Sequence, residues 1–118
     1  DDALKELASR TRGVPRIGNN YLQWVRDFAV ASGVAKVTET VVQDAMRKIG
    51  VDEDGQTIQD RKYLMTLATI ISKTNAAVGL NTLVASSNID SDTIVNDIEP
   101  YLLRKKIISK TSRGRIVL

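Results

Sequence analysis

For 106 residues the apolar side chains of this chain recur at the three-and-four spacing of amphipathic helices, and only after that does the period change. Within residues 2–12, Ala3, Leu4, Leu7 and Ala8 share one helical face, and the pattern stops at Gly13. Pro15 suits the first turn of a second helix, where a missing N–H is no loss. Ile17, Tyr21, Trp24, Val25 and Phe28 form its apolar stripe, and Gly33 ends it. Thr38 is placed to cap a third helix bearing Val41, Val42, Ala45, Met46 and Ile49, stopped by Gly50. Trp24 and Phe28 read as the core of this small bundle before any ligand-stacking role. The polar, acidic stretch 51–56 contains Gly55 and marks a boundary, so residues 1–55 are expected to form one domain and residues 56–118 another.

Beyond the boundary a fourth helix carries Tyr63, Leu67, Ile70 and Ile71 on one face, with Leu64 and Ala68 beside them. Residues 75–79 break the pattern. Asn81 is expected to cap a short fifth helix with Leu83, Val84 and Ala85, and Asp90 or Ser91 a sixth with Ile94, Val95, Ile98 and Leu102 facing inward. Pro100 falls inside the sixth and should kink it or shift its hydrogen bonding. Residues 107–111 and 115–118 are rich in β-branched side chains and flank Ser112-Arg113-Gly114, which reads as a hairpin. Three helices and then a two-stranded hairpin is the element order of a winged helix, a helix-turn-helix variant. The expected fold class is mostly α: a small helical bundle followed by a winged helix of three helices plus a β-hairpin.

The residue types remove much chemistry. With no Cys and no His there is no disulfide, no thiolate nucleophile, no cysteine-ligated zinc and no histidine base. No carboxylates form an evident acid/base pair, so this stretch alone is not expected to be an enzyme or to bind a metal. No apolar run approaches the roughly 20 residues that cross a bilayer, and nothing at the start resembles a signal peptide. The chain does not begin with Met, as expected of a piece of something longer.

A net charge of +3 conceals a strong asymmetry. Residues 51–100 carry three basic and eight acidic side chains, whereas residues 101–118 carry six basic and none acidic: Arg104, Lys105, Lys106, Lys110, Arg113 and Arg115. So basic a segment is a candidate anion-binding surface. The recognition helix, expected over 91–106, bears Asp92, Asp97 and Glu99, which repel phosphate and argue against base reading. Contact with the DNA backbone then falls to Arg113 and Arg115, projecting from a turn tightened by Gly114, with Lys110 nearby and Arg104, Lys105 and Lys106 secondary. Three other readings stay open at this point. The arginines could serve only to guard an edge strand against aggregation. The domain could be a stand-alone winged-helix DNA-binding regulator, or it could make protein contacts through the acidic face of residues 90–99.

Several motifs carry a resemblance. Arg12-Gly13-Val14-Pro15-Arg16-Ile17-Gly18-Asn19, followed by Val25-Arg26-Asp27-Phe28-Ala29, resembles the AAA+ lid domain of the bacterial RuvB family. Gly50-Val51-Asp52, Asp60-Arg61-Lys62-Tyr63-Leu64, Val78-Gly79-Leu80 and Ile98-Glu99-Pro100-Tyr101-Leu102 look like the stretches that follow that lid, and Arg113-Gly114-Arg115 looks like its wing tip. The resemblance implies the lid and winged-helix portions of an ATP-dependent Holliday-junction branch-migration motor, a DNA helicase of recombination and repair. It implies a cytoplasmic protein without membrane contact, hexameric in its full-length form, which acts on duplex DNA at Holliday junctions with RuvA and RuvC. ATP and magnesium would be its cofactors.

In that family the arginine of the Gly-x-Pro-Arg motif reaches the nucleotide phosphates. The resemblance therefore assigns Arg16, with Pro15, to nucleotide binding, a task a permanently charged bidentate guanidinium suits. From its position alone, Arg16 also reads as an exposed arginine in the first turn of a helix. This sequence departs from the family where Asn20, Gln23 and Trp24 stand at positions that are usually arginine, where Val14 replaces the usual Thr, and in the linker 54–59. No Gly-x-x-x-x-Gly-Lys-Ser/Thr phosphate loop and no Walker B carboxylate is present, so the ATPase core would lie in a missing part.

Overall fold

Helix boundaries follow the local chemistry closely. In the computed structural model, which describes residues 1–118, the Asp1 carboxylate accepts from the N–H groups of Ala3 and Leu4 and starts α1 (Asp2–Ser9). Pro15 opens α2 (Pro15–Ala31), which ends before Gly33 in the left-handed region. Thr38 caps α3 (Glu39–Lys48) by accepting from the Val41 N–H. These helices close over Ala3, Leu7, Val25, Val42, Ala45, Met46 and Val51. Trp24 and Phe28 pack against that core, and the indole N–H donates to the Ala45 carbonyl at 2.8 Å.

The chain divides into two compact units, Asp1–Thr57 and Ile58–Leu118. The second opens with α4 (Ile58–Thr74) and continues through α5 (Leu80–Ser87). Its next helix, α6, spans residues 91–104: an α-turn Ser91–Thr93, a π-turn Ile94–Ile98 and an α-helical end Glu99–Arg104. Two antiparallel strands, β1 (Ile108–Thr111) and β2 (Gly114–Val117), complete the unit. Tyr63, Leu67, Leu83, Ile94, Ile98, Leu102 and Ile108 form the buried centre. The architecture is mostly helical with one hairpin, as a winged helix requires. No helix is long and apolar enough to cross a membrane.

Two local expectations change, and a third, the effect of Pro100, is met. Asn81 does not cap α5: the helix starts from Gly79, whose extended backbone follows from Val78 being drawn into pairing with Arg115. Pro100 shifts hydrogen bonding without breaking the helix, because the N–H of Glu99 bonds to the Ile94 carbonyl five residues back. The wider turn acts like a one-residue insertion and swings Glu99 toward the side where Ile94 and Ile98 are buried. The hairpin loop is only Ser112-Arg113, since Gly114 already pairs with Thr111 in the ladder.

Candidate nucleic-acid interface

A hairpin of two four-residue strands is marginal in isolation. Here it is tied down at three places. Its register pairs Ile108 with Val117, Ser109 with Ile116, Lys110 with Arg115 and Thr111 with Gly114. Ile108 is buried in the core, so the period of two along each strand puts Lys110 and Arg115 on the same inward side. Val78, on the connection between α4 and α5, pairs with Arg115 as a third edge. Its N–H donates to the Arg115 carbonyl at 3.0 Å, and its own carbonyl accepts from the Arg115 N–H at 2.8 Å. Gly114 permits this approach. Its φ is +135°, and a Cβ there would stand 2.4 Å from the Val78 carbonyl oxygen.

The third anchor is ionic. Glu99 is 0% exposed, and its carboxylate accepts from Tyr63 Oη at 2.6 Å, from Arg115 Nε at 2.8 Å and from Arg115 Nη2 at 3.2 Å. Lys110 Nζ lies 3.3 Å from Oε1, the oxygen that Arg115 Nη2 also engages. Burial alone pushes the Glu99 carboxyl up, but hydrogen bonds from Arg115 and Tyr63 and the two nearby cations outweigh it, so its pKa falls below the ordinary value. Burial, then the bond to Glu99, push the Tyr63 phenol up, and the Arg115 guanidinium is held charged by the same carboxylate. The group is a closed set of donors on one anion, with the net charge of a single cation.

This geometry corrects one expectation about the wing. Arg115 does not project from the turn beside Arg113. Its side chain is 15% exposed and is folded back onto Glu99, with Nη1 the nitrogen that Glu99 does not engage. The physical reason is the strand period together with an unscreened carboxylate beneath it. Arg113 does stand out: it occupies the exposed turn, where its N–H donates to Thr111 Oγ1 and the Thr111 hydroxyl donates to the Gly114 carbonyl. Lys110 is exposed, 42% at the side chain, while paired with Glu99. Arg104, Lys105 and Lys106 are exposed at the end of α6, and Asp92 and Asp97 are exposed along it. Glu99, expected to repel phosphate, is instead internal and neutralised. Its burial is set by Tyr63 and Arg115, partners far off in sequence, so no local signal marked it.

The other candidate group lies in the first unit. Pro15 and Arg16 are exposed in the opening turn of α2, whose cap residue Val14 offers no side-chain hydrogen bond. No cluster of His, Cys, Asp or Glu in the chain could hold a metal ion. Arg16 belongs to the unit Asp1–Thr57, and Lys110, Arg113 and Arg115 belong to Ile58–Leu118.

Comparison with known proteins agrees with this division of elements. The family model of the RuvB AAA lid domain matches residues 1–52, and that of the RuvB C-terminal winged helix domain matches residues 53–117. The Holliday junction branch migration complex subunit RuvB of Kosmotoga olearia is 43% identical over 116 residues, covering 98% of this chain and 33% of that protein. Its counterpart in Fervidobacterium nodosum is 41% identical over the same share of each. Among solved structures, the Thermotoga maritima RuvB Holliday junction branch migration motor superposes with a TM-score of 0.83 at 36% identity, over 99% of this chain and 39% of that one. The chain thus spans about a third of the length of the curated relatives it matches.

Proposed function

The chain belongs to the RuvB family, whose lid and winged-helix domains it carries in succession, and on that premise we propose that it is the nucleotide-sensing and DNA-holding part of an ATP-driven Holliday-junction motor. The observation that carries this reading is the adjacency of the two family matches, 1–52 and 53–117, within one chain. A stand-alone winged-helix regulator is disfavoured, since it has no use for a lid.

The roles follow from where the charges lie. Arg113, exposed at the tip, and Lys110 meet backbone phosphates of duplex DNA, and Arg115 contributes at most the edge that Glu99 leaves free. An exposed acidic face on α6 keeps that helix from reading bases, which suits a motor that must hold any sequence. In the first unit, residues 1–55 serve as the lid, with Pro15 fixing the start of α2 and Arg16 reaching nucleotide phosphates. The donors present fit an anion: Arg16 is an exposed guanidinium, and no carboxylate cluster exists here for magnesium. The hydrolytic chemistry is that of ATP and magnesium held chiefly by the remainder of the longer protein. That protein works as a hexamer in the cytoplasm, with RuvA and RuvC as partners.

Two substitutions test the reading. Arg16→Ala in the longer protein should lower ATP turnover while duplex affinity is kept, and normal turnover would remove the nucleotide role. Arg113→Ala should weaken binding of both a duplex and a four-way junction, and unchanged binding of both would return the domain to protein contacts alone.

A further inference from the structure

Lys110 and Arg115 stand directly opposite each other across the hairpin, a pairing in which like charges repel. The Glu99 carboxylate lies against both head groups, 3.3 Å from Lys110 Nζ and 2.8 Å from Arg115 Nε. It therefore touches β1 and β2 at once, and Tyr63 fixes it from α4 at 2.6 Å. The other attachments of the hairpin are the Val78 pairing and the burial of Ile108, neither of which involves charge. Remove the carboxylate, and two cations face each other with nothing between them, one of them largely out of water.

From these contacts we propose that Glu99 is a positioning residue for DNA binding: it neutralises and holds the Lys110–Arg115 pair, and so sets the wing in the pose from which Arg113 and Lys110 meet phosphate. The inference rests on the wing being the DNA contact. Glu99 does not touch DNA in this arrangement. It acts through the two cations, spending part of their charge to fix where the rest is presented. Arg115 engages it through Nε and Nη2 and keeps Nη1 for solvent or phosphate.

The sign of one measurement separates this role from simple electrostatics. Taking an anion out of a DNA-binding unit strengthens its attraction for phosphate. Taking out the carboxylate that positions the wing weakens binding despite the gain in net charge. Glu99→Gln in the whole chain, titrated with a mixed-sequence duplex, should therefore bind about tenfold more weakly, a loss comparable with one or two phosphate contacts. Asp92→Asn removes the same charge from an exposed site on the same helix and should bind as well as the parent or better. If Glu99→Gln behaves like Asp92→Asn, the positioning role is overturned.

Arg113→Ala keeps this outcome distinct from failure of the DNA reading. Should Arg113→Ala leave affinity and salt dependence untouched, the wing is not the contact and the inference falls with it. Should Arg113→Ala weaken binding while Glu99→Gln does not, only the inference falls. A readout on the unsubstituted chain covers the case in which Glu99→Gln fails to fold. The Arg115 Nε–H should exchange slowly with solvent in the free chain and equally slowly when the chain is saturated with duplex. Faster exchange on adding duplex would mean that phosphate takes Arg115 from Glu99, and would overturn the proposal.

Discussion

In residues 1–57 the buried guanidinium of Arg10 is held chiefly by its own helix, whereas in residues 58–118 the buried carboxylate of Glu99 is shared by segments far apart in sequence. Arg10 donates through Nε and Nη2 to Glu6, four residues back at 3.0 and 2.6 Å, and through Nη1 to the Val51 carbonyl at 3.3 Å. Glu99 is met by Tyr63, 36 residues away, and by Arg115, 16 residues away. The first arrangement completes a helix end and fastens the loop after α3. The second joins α4, α6 and both strands of the hairpin. A charge satisfied locally stabilises the piece it belongs to. A charge satisfied across segments specifies how the pieces are arranged, and in this chain the arranged piece is the candidate DNA contact.

Glu99→Gln is the strongest way to break the contrast. Removing one partner of a buried ion pair strands the other, at a cost of about 3–5 kcal/mol. The loss should be confined to the second unit, read as faster amide exchange at Leu67 and Leu102. Trp24, the single tryptophan, sits in the first unit, so its fluorescence transition should not move. Acid gives the same contrast without substitution. The Glu99 pKa is lower in the folded chain than its ordinary value of 4.5, so its contribution is present above that pH and is lost as pH falls through the folded value. The second unit should lose protection below pH 4.5, and Glu99→Gln should lack that slope; an unaltered slope would mean that other carboxylates govern the acid limit.

Gly114→Ala attacks the same hairpin without touching a charge. With φ at +135° and the Val78 carbonyl in the way, a Cβ forces the strand off its third edge, at a cost of about 2–3 kcal/mol. Both the stability of the second unit and duplex affinity should fall. Full retention of both would show that the Val78 pairing does not hold the wing.

Glu6→Gln is the matched probe in the first unit. Arg10 keeps the Val51 carbonyl and the neutral amide oxygen, so the expected cost is about 1–2 kcal/mol. It should lower the Trp24 transition and leave duplex binding unchanged. A loss as large as that of Glu99→Gln would erase the distinction between local and shared satisfaction.

The same distinction explains what was legible in the sequence. Caps, stops and apolar stripes are local, and Thr38, Pro15 and Gly33 mark their helix ends as short-range chemistry dictates. The hairpin too follows from a change of period. What the residues concealed were the features made by distant partners: the start of α5 at Gly79, set by Val78 pairing with Arg115, and the burial of Glu99, set by Tyr63 and Arg115. A carboxylate or an arginine reads as solvent-facing until its partner is known. The inward turn of Arg115 was nonetheless available: Ile108 had to be buried, and counting by two along β1 to Lys110 and across to Arg115 gives the inner face.

Arg113→Ala carries the smallest structural effect and the sharpest functional one. Arg113 lies in the exposed turn, and its backbone N–H donates to Thr111 Oγ1, a bond that alanine retains. Stability should therefore change by less than about 0.5 kcal/mol. A single phosphate interaction accounts for about 0.9 of the log–log slope of affinity against salt on duplex DNA, so the slope should flatten by about that amount. Arg115→Ala should do the reverse, with a large fall in the stability of the second unit through Glu99 and a binding loss that follows from it. If instead both variants keep their stability and lose affinity equally, Arg115 is an exposed contact like Arg113, and the division between the residue that grips and the residues that aim it does not hold.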